Sequence, residues 1–186
     1  MKKIMRRFRN ALRSAFAVSM VAALVTTTAG AHHDDESTRL RTRDNNTQEY
    51  EHVDLTPAGK MACDWGASQL ERSEITAREG NSDIHCHDSI LSGYSGSRVY
   101  CTTIVWWNRR CGHFQIDFNL RDMDTTPDSV YERNFWRHVG CHEFGHTGSI
   151  AHVNSNESCM RSWAALRLNN PETFTSADLR HINDAL

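Results

Sequence analysis

The stretch His142-Glu143-Phe144-Gly145-His146-Thr147-Gly148-Ser149-Ile150-Ala151-His152 constrains this chain more than any other. Its first two histidines, four residues apart, share a face only if the backbone there is helical. The third, His152, can rejoin them only if the helix stops and the chain turns back. The H-E-x-x-H spacing sets two imidazoles for a zinc ion, with Glu143 beside them as general base on a bound water. The rest of the chain must then supply the helix, the turn, a cleft and an export route.

The export route is legible at the start. Lys2, Lys3, Arg6, Arg7, Arg9 and Arg13 form a positive region, Ala15 to Val25 is a short apolar run, and Ala29-Gly30-Ala31 is a small-residue cleavage site. Residues 1–31 therefore read as a signal peptide, with the mature chain starting at His32. Arg6-Arg7 also permits a twin-arginine route. The apolar run is shorter than the roughly 20 residues that span a bilayer, so no membrane anchor is expected after signal removal. Cleavage leaves 15 basic against 23 acidic residues, a net charge of -8. That balance argues against nucleic-acid and anionic-membrane partners and suits a secreted, extracellular protein. The remaining length fits one domain with one core. All six cysteines, Cys63, Cys86, Cys101, Cys111, Cys141 and Cys159, fall in the mature part. An even count in an oxidising compartment predicts disulfides, with the connectivity left open.

Residues 32–60 are polar and mixed in charge, and read as a flexible leader or pro-segment preceding a domain over 61–186. Cys63 could cap a metal as a thiolate, but half of a disulfide is the stronger reading. Met61 to Arg78 is expected as a helix and Ile84 to His87 as a short strand. His85 and His87 share a face there, and with His113 they form a minor candidate for a second metal site. They read more simply as polar strand residues. Ser97 to Trp107 carries apolar groups on both faces and is expected as a central strand. His113 to Leu120 alternates strictly, the pattern of a half-exposed edge strand. If these two strands pair as a hairpin, Cys101 and Cys111 could staple it. Ser129 and Glu132 have capping-box spacing, which predicts a helix from Ser129 to His146. Thr175 and Asp178 repeat that spacing before a final helix through Leu186. Trp163, Leu166 and Leu168 read as packing for a lower lobe.

On the long helix, Phe135, Val139, His142 and His146 form one stripe with Glu143 beside it, while Val130 and Phe144 project from the opposite side. Both faces should be covered, and Gly140 and Gly145 then mark close approaches. Cys141 points away from His142 and suits a disulfide better than a metal. His138, one turn before His142, could be an outer-shell partner, but reads more simply as a polar residue near the helix surface. The longer zincin pattern wants glycine three residues after the second histidine. This chain has Ser149 there, and a left-handed Gly148 with shifted register is the expected way to keep the turn. His152 is the expected third ligand, with Glu157 or Glu172 as alternatives.

Residues 129–160, and more loosely 97–186, resemble the small secreted metzincin-type zinc endopeptidases of bacteria, the reprolysin-like and snapalysin-like group. The likeness rests on Cys141-His142-Glu143-Phe144-Gly145-His146-Thr147, on His152 and on Ser158-Cys159-Met160. It implies a Cys141–Cys159 disulfide and Met160 as a Met-turn residue beneath the ligands. It also implies an α+β zincin domain with a twisted mixed sheet, a central active-site helix and a small C-terminal helical lobe.

The leading expectation is a secreted, monomeric zinc endopeptidase acting on protein or peptide substrates. One zinc would be held by His142, His146 and His152, with Glu143 as base and the substrate laid along His113 to Leu120. The alternative is a catalytically silent zinc-binding or interaction module on the same scaffold. Calcium is compatible with acidic loops such as Asp122 to Asp128, but no ligand spacing specifies it.

Overall fold

Three threonine or serine caps define the helices. In the computed structural model, which describes residues 42–81, 83–92, 96–121, 127–161 and 170–185, Thr56 accepts from the Gly59 amide and Pro57 opens α1 (Pro57–Leu70). Ser129 and Glu132 form the expected capping box of α2 (Val130–Thr147). Thr175 and Asp178 form another at α3 (Ser176–Asp184). The signal peptide, the leader up to residue 41, Ser82, Asp122 to Thr126, and Trp163, Leu166 and Leu168 lie outside the described residues.

The strands are β1 (Thr47–Val53), β2 (Thr76–Glu79), β3 (Ile84–Ser89), β4 (Arg98–Ile104) and β5 (Cys111–Asn119). They form a five-stranded mixed sheet in the order β2-β1-β3-β5-β4. Every neighbouring pair is parallel except β4 with β5. With the three helices of the described residues this is an α+β architecture.

The sheet corrects several expectations. Residues 42–60 are folded rather than a flexible stretch: β1 lies between β2 and β3, and α1 begins at Pro57. Composition misled because the polar side chains of β1 are paired, Glu49 with Arg78 (Nε 3.0 Å) and His52 with Asp64 (2.8 Å). The helix expected over Met61 to Arg78 ends at Leu70, and its last part is β2.

Centre and edge are also exchanged. β4 stands at the sheet edge, with Ile104, Trp106 and Trp107 exposed at and beyond its end, whereas β5 is interior. Alternation in β5 looked like a wet face, yet Asp117 and Asn119 are buried. Arg98 donates to Asp117 at 2.9 and 2.7 Å, and the Asn119 side chain accepts from the Leu91 amide at 3.2 Å. Buried polar groups with partners keep a polar pattern without solvent.

Helices α1 and α2 cover the face that carries Tyr50, Cys86 and Phe118. Tyr50 meets Phe144 and Phe118 meets Trp136, both edge to face. Gly140 is where the helices cross: a Cβ there would stand 2.0 Å from the Ala62 carbonyl oxygen. One disulfide ties α1 to β3 (Cys63–Cys86), another staples β4 to β5 (Cys101–Cys111), and the third joins α2 to the segment after it (Cys141–Cys159). No cysteine is free. Three disulfides are compatible with an extracellular protein. No described helix is long and apolar enough to cross a membrane.

Candidate metal centre

The C-terminal half of α2 delivers His142 and His146 one turn apart, and both are buried. Their Nε2 atoms stand 3.2 Å from each other. His152 returns from beyond the helix end and brings its own Nε2 to 3.1 Å from that of His142. Among the described residues these three form the one group of His, Cys, Asp or Glu that could hold a metal ion. Glu157 is exposed and Glu172 pairs with Arg137 (3.6 Å), so neither belongs to it.

Carbonyls on the far side of the rings set the tautomers. The Nδ1–H of His142 donates to the Cys159 carbonyl and that of His146 to the Ile150 carbonyl, each at 2.8 Å. A ring that donates through Nδ1 keeps a lone pair on Nε2, the arrangement of a metal-ligating histidine. Burial, and then the neighbouring His146, His152 and His138, push the His142 imidazole well below its ordinary range, so it stays neutral. Neutral imidazoles crowded at one point disfavour a proton and favour a metal cation.

The turn that returns His152 differs from expectation. Gly148 has φ -74° and simply ends the helix. Ser149 itself takes the left-handed conformation, with φ 72°. The Ile150 amide donates to the Gly145 carbonyl (3.0 Å) and the Ser149 amide to the His146 carbonyl (2.9 Å). This is a Schellman cap with serine where glycine is usual. The register is therefore unshifted.

Met160 is fully buried and packs against Gly145 of α2. A Cβ on Gly145 would fall 2.0 Å from its sulfur, so the missing side chain is what admits the methionine. Ser158 holds the segment, accepting from the Met160 amide (3.0 Å) and donating to Asp178 at the start of α3 (2.7 Å). Cys159 both joins Cys141 by a disulfide and offers its carbonyl to His142. Glu143, next to His142, is only 3% exposed. That degree of burial is rare for glutamate.

His138 is buried rather than near the surface, its Nδ1 at 2.6 Å from the Pro171 carbonyl. His85 and His113 stack edge to face at 4.2 Å on the sheet face away from the helices, but among the described residues they belong to no metal-competent group. Sequence reasoning missed Arg43, which is fully buried and donates to Gly148 and Ile182. A lone arginine in a polar stretch carries no signal for such a role.

No family model and no curated protein sequence matches this chain.

Proposed function

We propose that the protein is a secreted zinc-dependent endopeptidase of metzincin type. The carrying observation is the meeting of three imidazole Nε2 atoms, from His142, His146 and His152, with the buried Glu143 next to His142 in the helix. Tetrahedral ligands at zinc–nitrogen distances of about 2.0–2.1 Å stand about 3.3 Å apart. His142 Nε2 stands near that spacing from both partners, at 3.1 and 3.2 Å, and all three donor atoms lie within 4.8 Å of one another. Three histidines leave a fourth position open, which is the pattern of catalytic sites; structural zinc is closed by a fourth protein ligand.

Zinc, when bound, would supply a Lewis acid for the scissile carbonyl and lower the pKa of a coordinated water to about 7. Glu143 takes the proton of the attacking water and returns it to the leaving amine nitrogen. His142 and His146 are held to their tautomers by the Cys159 and Ile150 carbonyls and so need no rearrangement on binding. Met160 and the Cys141–Cys159 disulfide fix the floor. Of the two edge strands, β2 and β4, the one suited to an extended peptide is β4, which packs against α2, the helix that carries His142 and His146. Main-chain pairing there would give affinity with little side-chain selection.

The test is to measure zinc per chain in the purified secreted protein and casein cleavage before and after chelation. One zinc per chain, with cleavage lost on chelation and restored by added zinc, is expected. A zinc-loaded protein that cleaves nothing would instead assign it to the silent-module class.

A further inference from the structure

Arg43 has no exposed surface, yet it carries a full charge. Burial, with a smaller contribution from Arg110, lowers its guanidinium to about 10, which leaves it cationic at neutral pH. Its hydrogen-bond partners are oxygens of uncharged groups: Nη1 donates to the Gly148 carbonyl (3.2 Å), and Nη2 to the Ile182 carbonyl (2.8 Å) and the Asn46 side-chain oxygen (3.2 Å). Gly148 is the C-cap of α2, and Ile182 lies in the last turn of α3. Helix C-termini present unsatisfied carbonyls and the negative end of the helix dipole. One guanidinium therefore joins two such ends, which a lysine ammonium, lacking the planar fork, matches poorly.

The backbone that carries Arg43 is itself anchored. The Cys111 amide donates to the Thr42 carbonyl (2.8 Å) and the Asp44 amide to the Cys111 carbonyl (3.2 Å). Cys111 is in turn linked to Cys101. Gly148, the residue that Arg43 grips, immediately precedes Ser149, which stands in the left-handed conformation. Beyond it, the Ile150 carbonyl fixes His146 and the chain brings back His152.

We propose that Arg43 is a positioning residue for the metal centre: by clamping the C-terminus of α2 to α3, it holds the Gly148–His152 turn in the shape that metal binding requires. The segment before β1 thus becomes part of the site, and processing of the chain must stop short of Arg43 to leave the site intact. This inference rests on His142, His146 and His152 binding a metal.

Cobalt(II) is the probe, with affinity taken from chelator competition and ligand geometry from its visible d–d bands. Wild type, Arg43→Met, Arg43→Lys, Asn46→Ala and a core control remote from the turn, Ile84→Val, are compared well below their melting temperatures. Arg43→Met is expected to bind cobalt about 10-fold more weakly or worse, the effect of losing a group that orients ligands. Its bands should shift, while Arg43→Lys and Asn46→Ala fall between it and wild type. Ile84→Val, which loses stability only, should keep wild-type affinity and spectrum. Wild-type protein that binds no cobalt would overturn the metal centre itself. Wild type that binds, with Arg43→Met unchanged in affinity and spectrum, would overturn the role of Arg43 alone. Should Arg43→Met fail to fold, unchanged affinity in both folded Arg43→Lys and Asn46→Ala would overturn that role equally.

Discussion

His146 donates its Nδ1–H to the carbonyl of Ile150, 2.8 Å away, and the residue before that carbonyl, Ser149, has φ 72°. A metal-facing ring is thus oriented by the turn that ends its own helix. The same turn returns His152, so two of the three donors depend on one backbone conformation.

Ser149 holds a left-handed conformation at a cost that glycine avoids, about 1 kcal/mol for a residue with a Cβ. Ser149→Gly should raise stability by about 0.5 kcal/mol, the gain being partly offset by the freer unfolded chain. Ser149→Val should lower stability and weaken zinc binding, because β-branched residues resist positive φ. Thermal melts and chelator competition on both variants check this. A left-handed cap that matters little would leave Ser149→Val at wild-type affinity.

Gly140 and Gly145 should respond differently to alanine. At Gly140 the new methyl meets backbone, the Ala62 carbonyl oxygen at 2.0 Å, and a helix must move. A loss of about 3 kcal/mol is expected, at the upper end of overpacking costs. At Gly145 the obstacle is the Met160 side chain. Gly145→Ala should cost less and be partly rescued by Met160→Ala in a double-mutant cycle. Equal losses at the two glycines, with no rescue, would contradict the placing of Met160.

The metal-free protein should be sensitive to acid. Burial holds His142 and His138 below the usual imidazole range in the folded state. The unfolded chain therefore binds more protons than the folded one below about pH 6.5. Stability from these groups is complete above that pH and is lost as pH falls, by up to about 1.4 kcal/mol per pH unit for each histidine. Urea midpoints of chelated protein at pH 7.5 and 5.5 read this directly; equal midpoints would mean that these rings are protonated without strain.

Local signals were legible because they act over a few residues. The helical spacing of His142 and His146, the Ser129–Glu132 and Thr175–Asp178 caps and the pairing of Cys101 with Cys111 all appear where the sequence places them. What was hidden depends on partners far along the chain. β1 reads as leader because Glu49 and His52 find Arg78 and Asp64 only after folding. β5 reads as an edge because nothing near Asp117 announces Arg98. The serine at position 149 reads as a flaw in the turn, although the cap hydrogen bonds from Ser149 and Ile150 hold it in the glycine conformation.

The most direct measurement is casein hydrolysis by zinc-loaded Glu143→Ala beside zinc-loaded wild type, with metal content and folding checked in both. The buried carboxylate at 143 is not among the ligand group, so zinc should stay at one per chain. Cleavage should fall by about 100-fold or more, as expected for loss of a general base. Hydrolysis by Glu143→Ala at the wild-type rate would contradict the assignment of Glu143 as the base.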